Sequence, residues 1–279
     1  MEQIIFIVWR ESVEALLVVG LLHALLHQQQ ADSRALRYLW WGVGGGVAMA
    51  LLLAGALLKM GALLGGNAQD IFATVLVWVA AVLIVQMVLW MRVHGARLHG
   101  HFKARSGEAL ASGSYWGIAV LAAIAIGREG SETVIFLYGM GSAQQATGDW
   151  LGFGAAVLAA IALAGATYWL LQAGSRWLSW RWFFRFSEVV LLLLAASLVM
   201  SGVDRLLSLG WLPSGIDPLW DSSMLLDDST RFGGIVAALT GYRAYPAETG
   251  VIAYVGFWLL VAGLFLWQRR GMRRQQAGA

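Results

Sequence analysis

Trp9-Arg10-Glu11-Ser12-Val13-Glu14-Ala15 lies inside an apolar run from Ile4 to Leu26, a length that crosses a bilayer. Each charge at the centre of such a run costs roughly 2.5–3.5 kcal/mol on the insertion scale, against a gain of about 0.3–0.6 for each Leu or Ile. Ionisable residues held at that cost usually mark a pathway or a site. The pattern returns as Gly127-Arg128-Glu129-Gly130-Ser131-Glu132-Thr133, again inside a hydrophobic run. Two copies of R-E-x-x-E, each in a segment of bilayer length, decide the reading.

Composition agrees. Of 279 residues, 59% are apolar and 13% charged, about half the charged share of a soluble domain. Mean hydropathy is +0.68. The sequence is expected to be one membrane domain over residues 1–279 with no cleavable signal peptide, since Glu2 stands where a basic leader would carry positive charge. The absence of Cys excludes thiolate metal sites, disulfides and haem-attachment motifs.

Hydropathy predicts an all-α protein with spans near 4–26, 39–58, 71–91, 115–140, 151–172, 186–208 and 250–267. Continuous apolar runs of this length point to helices, not barrel strands. Arg34, Arg37, Arg92, Arg97, Lys103, Arg105, Arg176, Arg181, Arg185, Arg269, Arg270, Arg273 and Arg274 fall on one side of that topology. Lys59, Arg205, Arg231 and Arg243 fall on the other, among Asp70, Asp149, Asp204, Asp217, Asp221, Asp227, Asp228 and Glu248. The positive-inside rule then puts the N-terminus outside and the C-terminus in the cytoplasm. Matching motifs in the first and fourth spans predict two three-helix repeats of inverted topology plus one C-terminal helix, with the substrate site at the repeat interface. Trp40, Trp41, Trp90, Trp116, Trp150, Trp177, Trp180, Trp182 and Trp267 lie near span ends, as an aromatic belt does. Gly42, Gly44, Gly45, Gly46, Gly152, Gly154 and Gly165 are expected to let helices pack closely.

On a helix, Glu11 and Glu14 stand about 60° apart around the axis and about 4.5 Å along it, and Glu129 and Glu132 repeat the relation. Arg10 lies about 40° from Glu14, and Arg128 about 40° from Glu132. Each Arg is therefore expected to orient one carboxylate as a charge partner. Four carboxylates against two guanidinium groups leave a net charge of −2 in low dielectric. All-oxygen ligation suits a hard cation such as ferric iron, manganese, magnesium or calcium. The competing reading makes each motif a structural salt bridge between helices. Two copies at corresponding points favour a transport site with Glu11, Glu14, Glu129 and Glu132 as ligands.

These motifs resemble the oxidase-dependent ferric iron permeases of the iron/lead transporter family, including its bacterial EfeU-like members. The family carries R-E-G-L-E in its first and fourth of seven spans; here the copies read R-E-S-V-E and R-E-G-S-E. Every charged position matches, while Ser12 and Ser131 depart from the pattern and add hydroxyls that can ligate. Asp221-Ser222-Ser223-Met224-Leu225 resembles the family's acidic D-x-S segment, and Gly241-Tyr242-Arg243 through Pro246 its approach to the last span. The resemblance implies iron uptake across the cytoplasmic (inner) membrane, with Fe(III) supplied by a periplasmic or extracellular oxidising or delivery protein. Iron is then the substrate; no tightly bound cofactor, enzymatic turnover or nucleic-acid partner is expected.

Other residues leave alternatives open. Glu188 is either a site or exit ligand or an interfacial acid paired with Arg185. His23 and His27 are spaced to bind a metal at an exit, or simply sit at the interface. His94, His99 and His101 belong to a basic, lipid-facing loop, and Gln86 either bonds between helices or lines a path. The acidic outer loop, 209–249, is either a solvated loop or a surface that gathers cations and docks a donor, with Asp221 as a possible capture ligand. No Walker motif is present, so direct ATP hydrolysis is not expected; crowded carboxylates make proton coupling the natural alternative. The rival readings are a carrier of lead, manganese or another divalent cation, and a membrane di-metal oxidase. Bundle di-iron enzymes use Glu-x-x-His pairs, and here the position three after each first Glu is another Glu, which argues against the oxidase.

Overall fold

A computed structural model describes residues 2–28, 33–94, 115–144, 150–172 and 180–277. Arg97, His99, His101, Lys103, Arg105, Asp149, Arg176 and Trp177 lie outside the described residues. Among those described there are eight helices and no strand: α1 (Glu2–Gln28), α2 (Ser33–Leu63), α3 (Asn67–His94), α4 (Tyr115–Gln144), α5 (Trp150–Gln172), α6 (Trp180–Ser208), α7 (Arg231–Thr240) and α8 (Glu248–Ala277). Each expected span falls within one of the seven long helices. α2, α3, α5, α6 and α8 are both long and apolar enough to cross a membrane, so the chain is a multi-pass membrane protein. α1 and α4 have the length, at 27 and 30 residues, but carry the motif charges.

The chain forms two compact units, residues 1–73 with 93–187, and residues 74–92 with 188–279. In the first, α2 packs along α4 at very short range, and glycine is the reason. A Cβ on Gly42 would meet Ala122 Cβ at 2.8 Å, and one on Gly46 would meet the Gly127 backbone nitrogen at 2.8 Å. Small residues that let backbones touch are the usual adhesive between helices in lipid. That role does not extend to every expected glycine: a Cβ added to Gly44, Gly154 or Gly165 would find nothing within 4 Å, and one on Gly45 a single loose neighbour. Leu22 and Leu26 of α1 join Leu39 of α2 and Ile118 and Ala122 of α4 in a buried cluster at one end of this unit. Ile4 and Val8 pack on Ala156 and Ala160 of α5, and Val13 packs on Ala164.

In the second unit α6 is the most deeply buried helix, contributing Leu191, Leu194, Ala195 and Ala196 to the core. The Trp78 indole lies against Gly202, 2.8 Å from where a Cβ would sit. Arg92 stacks over Phe265 at 3.9 Å and pairs with Glu188 at 2.9 Å, while Gln268 Nε2 donates to the Leu89 carbonyl at 2.7 Å. These contacts tie α3, α6 and α8 together.

The segment between α6 and α8 is not a plain solvated loop. Thr230 caps α7, its hydroxyl accepting from Gly233 N–H at 3.1 Å, and Gly241 ends it in the left-handed region at φ 78°, a geometry that favours glycine. A Cβ there would also lie 3.0 Å from Ser197 Cα. Ten residues of helix inside an expected loop went unread because R-F-G-G-I-V-A-A-L-T has two glycines, poor helix formers, in its first turn.

Candidate metal site

The paired motifs meet inside the first unit. Glu11, Glu14 and Glu129 each place a carboxylate oxygen within 4.8 Å of the other two. Arg10 is fully buried; one terminal nitrogen donates to Glu11 Oε1 at 2.7 Å and the other to Glu14 Oε1. Arg128 Nε donates to Glu132 Oε1 at 2.9 Å and stands 4.0 Å from Glu129 Oε1. The expected Arg10–Glu14 and Arg128–Glu132 pairs are thus both formed. The contact of Arg10 with its neighbour Glu11 was not expected, because adjacent residues on a helix do not face each other; the long guanidinium arm spans the difference.

The packing that holds the site follows from the small residues around it. Gly127 lies against Gly46, and Gly130 against Ala50, so α2 supports α4 from behind on both sides of Arg128-Glu129. On α1, the Trp9 indole N–H donates to Thr167 Oγ1 of α5 at 3.0 Å, and that hydroxyl donates to the Leu163 carbonyl at 2.8 Å. This clasp one residue from Arg10 went unread; its one signal was Thr167, a polar residue in an otherwise apolar stretch. Thr133 Oγ1 donates to the Glu129 carbonyl at 2.8 Å. Ser131 Oγ donates to the Arg128 carbonyl at 2.8 Å, back-bonding that occupies the hydroxyl proton.

Glu11 Oε2, Glu129 Oε2 and Glu132 Oε2 are buried with no hydrogen-bond partner among the described residues. Carboxylates crowded at this spacing repel one another strongly in low dielectric. Oxygens left unsatisfied there carry a desolvation penalty unless a cation or proton completes them. The donor set is all oxygen, the chemistry that suits a hard cation.

The remaining sequence-predicted residues fall elsewhere. Glu188 pairs with Arg92, not with Arg185. The His23 and His27 rings lie 4.9 Å apart, and Gln86 is exposed on α3. In the 209–249 segment the acids organise turns. Asp221 Oδ1 accepts from Ser223 N–H at 2.9 Å and Ser223 Oγ at 2.7 Å. Asp227 Oδ1 accepts from Ser229 N–H at 2.8 Å, and Asp228 Oδ2 from Ala244 N–H at 3.2 Å. The Ser223 hydroxyl, then its N–H, holds the Asp221 carboxyl below the usual range; Ser229 does the same for Asp227. Tyr242 ties the knot, its hydroxyl 2.7 Å from Ser222 Oγ and 2.9 Å from the Leu226 carbonyl. Ser222 N–H donates to the Ala244 carbonyl and Leu219 N–H to Pro246. The two stretches quoted above, 221–225 and 241–246, are therefore bonded to each other.

Comparison with known proteins agrees with this architecture. The chain belongs to the iron permease FTR1 family, whose pattern matches residues 1–272. It is 26% identical over 250 residues to the ferrous iron permease EfeU of Escherichia coli O6:H1 (strain CFT073), covering 89% of each chain. The ferrous iron permease EfeU of Yersinia pestis is 26% identical over 264 residues, 93% of this chain and 90% of that protein. No solved structure matches the chain. Membership of this family makes the protein an iron permease, a transporter whose substrate is iron.

Proposed function

We propose that iron crosses the membrane through a carboxylate site built from the two R-E-x-x-E motifs, with Glu11, Glu14, Glu129 and Glu132 as ligands and Arg10 and Arg128 as charge partners. One observation carries this reading: three Glu side chains from two helices converge within 4.8 Å, and buried oxygens of Glu11 and Glu129 have no other partner among the described residues. A purely structural salt-bridge pair would match charges one to one, whereas here the two motifs bring four carboxylates against two guanidinium groups.

In this reading α1 and α4 also cross the bilayer, making seven spans arranged as two inverted three-helix repeats plus α8. The burial of Arg10, Glu11 and Glu132 supports that reading, because their charges face protein and each other, not lipid. The Lys and Arg distribution supports an outside N-terminus and a cytoplasmic C-terminus in the inner membrane. The 209–249 segment then lies outside, where its acids gather cations and Asp221 offers a first contact. Glu188, neutralised by Arg92, serves to join helices.

The hard, all-oxygen donor set favours Fe(III) handed over by an external oxidising partner. A second reading, transport of Fe(II), is favoured by the name that the relatives carry, ferrous iron permease. Radiolabelled uptake into cells tests both. Glu11→Gln, Glu14→Gln and Glu129→Gln should each lose saturable iron uptake, by about tenfold or more, with unchanged protein in the membrane. Wild-type uptake by two of the three would remove the site. Uptake of Fe(II) under anoxia without any oxidant would decide for the ferrous reading, and its absence until an oxidant is added for the ferric one. Competition by lead or manganese in the same assay measures selectivity.

A further inference from the structure

The far end of α1 carries a second pair of ligand side chains. His23 and His27 stand one turn apart, His27 in the last turn of the helix; His23 is half-buried and His27 exposed. From Glu14 to His23 the helix makes about two and a half turns and rises about 13.5 Å, so the imidazoles lie across the helix from the carboxylates. Leu16, Gly20, His23 and His27 follow at spacings of four, three and four, which is one helical face. The start of that face turns to α5: Leu16 packs on the Val13–Ala164 contact, and the Tyr168 hydroxyl lies against Gly20. The pair is therefore no continuation of the carboxylate site.

The two rings are 4.9 Å apart, centre to centre, and tilted by 54°. A metal–nitrogen bond of about 2.1 Å puts an ion about 3.2 Å from each ring centre, so imidazoles about 90–110° apart on one ion have centres about 4.5–5.2 Å apart. The observed separation falls inside that range. Among the described residues, no other side chain is bonded to either imidazole. The carbonyl end of the helix also favours a cation there. We propose that His23 and His27 chelate one divalent transition-metal ion of the class that imidazole suits, zinc, nickel, copper or Fe(II), with water in the remaining positions. α1 then holds two donor sets of different chemistry, oxygen on one face for a hard cation and nitrogen on the other for a borderline one. By the orientation proposed above, the nitrogen site faces the cytoplasm and samples ions already inside the cell.

The test uses Cu(II) as the probe ion and the purified full-length chain. The chain has five His and no Cys, so replacing His94, His99 and His101 with Gln leaves this pair as its only imidazoles. Electron paramagnetic resonance of that chain should then show splitting by two imidazole nitrogens in one copper per chain. Adding His23→Gln or His27→Gln should weaken the nitrogen-bound copper by about tenfold or more and leave splitting by one nitrogen. Splitting by a single nitrogen with both His present, a signal from oxygen ligands alone, or equal affinity after His27→Gln would overturn the chelate. Should the triply substituted chain fail to accumulate, wild type against His27→Gln decides by the loss of one two-nitrogen copper per chain. No arm reads iron uptake, so failure of the carboxylate site leaves this result standing.

Discussion

At the scale of single residues, Arg10 is the guanidinium that joins two carboxylates of the candidate site. It is buried and holds Glu11 and Glu14 with different nitrogens, a fork that a lysine ammonium cannot reproduce. Removing it leaves buried carboxylates uncompensated, which typically costs about 3–5 kcal/mol. Arg10→Ala should therefore lower the thermal midpoint of the purified protein by several degrees, and adding Glu14→Gln should restore part of the loss by removing one orphaned charge. A midpoint equal to wild type in Arg10→Ala would show that the guanidinium bears no structural charge balance. The i,i+4 pairings were legible from the sequence because helical spacing alone sets them. The difference between Arg10 and Arg128 was not, since identical motifs say nothing of what packs around each.

Among elements, the α2–α4 contact sets how closely the second motif is held. A methyl group on Gly46 would meet backbone atoms at 2.8–2.9 Å, which cannot yield as a flexible side chain can. Overpacking of this kind costs about 1–3 kcal/mol. Gly46→Ala should destabilise the protein and reduce uptake by moving Gly127 and with it Arg128-Glu129. Gly44→Ala, with nothing within 4 Å, should be neutral or slightly stabilising, because Ala is the better helix former. Thermal denaturation of both variants checks the contrast; equal effects would mean that the glycines act through propensity alone. The sequence announced a glycine-rich helix but not which glycines face a neighbour, because that depends on helix rotation. α7 and the Tyr242 knot were equally hidden, since bonds such as Tyr242 to Ser222 link residues with no shared periodicity.

The acidic segment is a folded element whose carboxylates have two jobs, bracing turns and carrying charge. Asn keeps an acceptor oxygen for Ser223 and Ser229 while removing the charge, so Asp221→Asn and Asp227→Asn separate them. If the charges gather cations, these variants should raise the KM for iron with little change in maximal rate. The effect should shrink in salt, where the Debye length falls to about 3 Å at 1 M. Collapse of the maximal rate would place the loop on the translocation path. The serines hold both carboxyls below their ordinary value. Their contribution to the loop is thus fully present above the unfolded pKa of about 3.9 and lost only as pH falls through the lower folded values. Protease resistance of the segment should therefore persist at pH 5 and fail only well below pH 4; loss near pH 6 would contradict this.

At the scale of the whole molecule, seven long helices and the two motifs were readable from hydropathy and spacing, while the division into two units was not, because it arises from contacts distant in sequence. Arg92 with Glu188 and Phe265 is one such set: the acid was visible, its partner was not. Orientation can be tested directly, since the chain has no Cys and single cysteines report without background. Met224→Cys, at a position 98% exposed, should react with an impermeant thiol reagent in intact cells. Arg37→Cys should react only after permeabilisation; the reverse pattern would invert the topology.

The central claim, that iron is held by carboxylates from both motifs, is tested most directly by equilibrium binding of iron to the purified protein and its Glu129→Gln variant. The account predicts saturable binding by the wild type, lost or weakened about tenfold or more when Glu129 becomes Gln, with the variant still folded. Equal binding by the two proteins would contradict it.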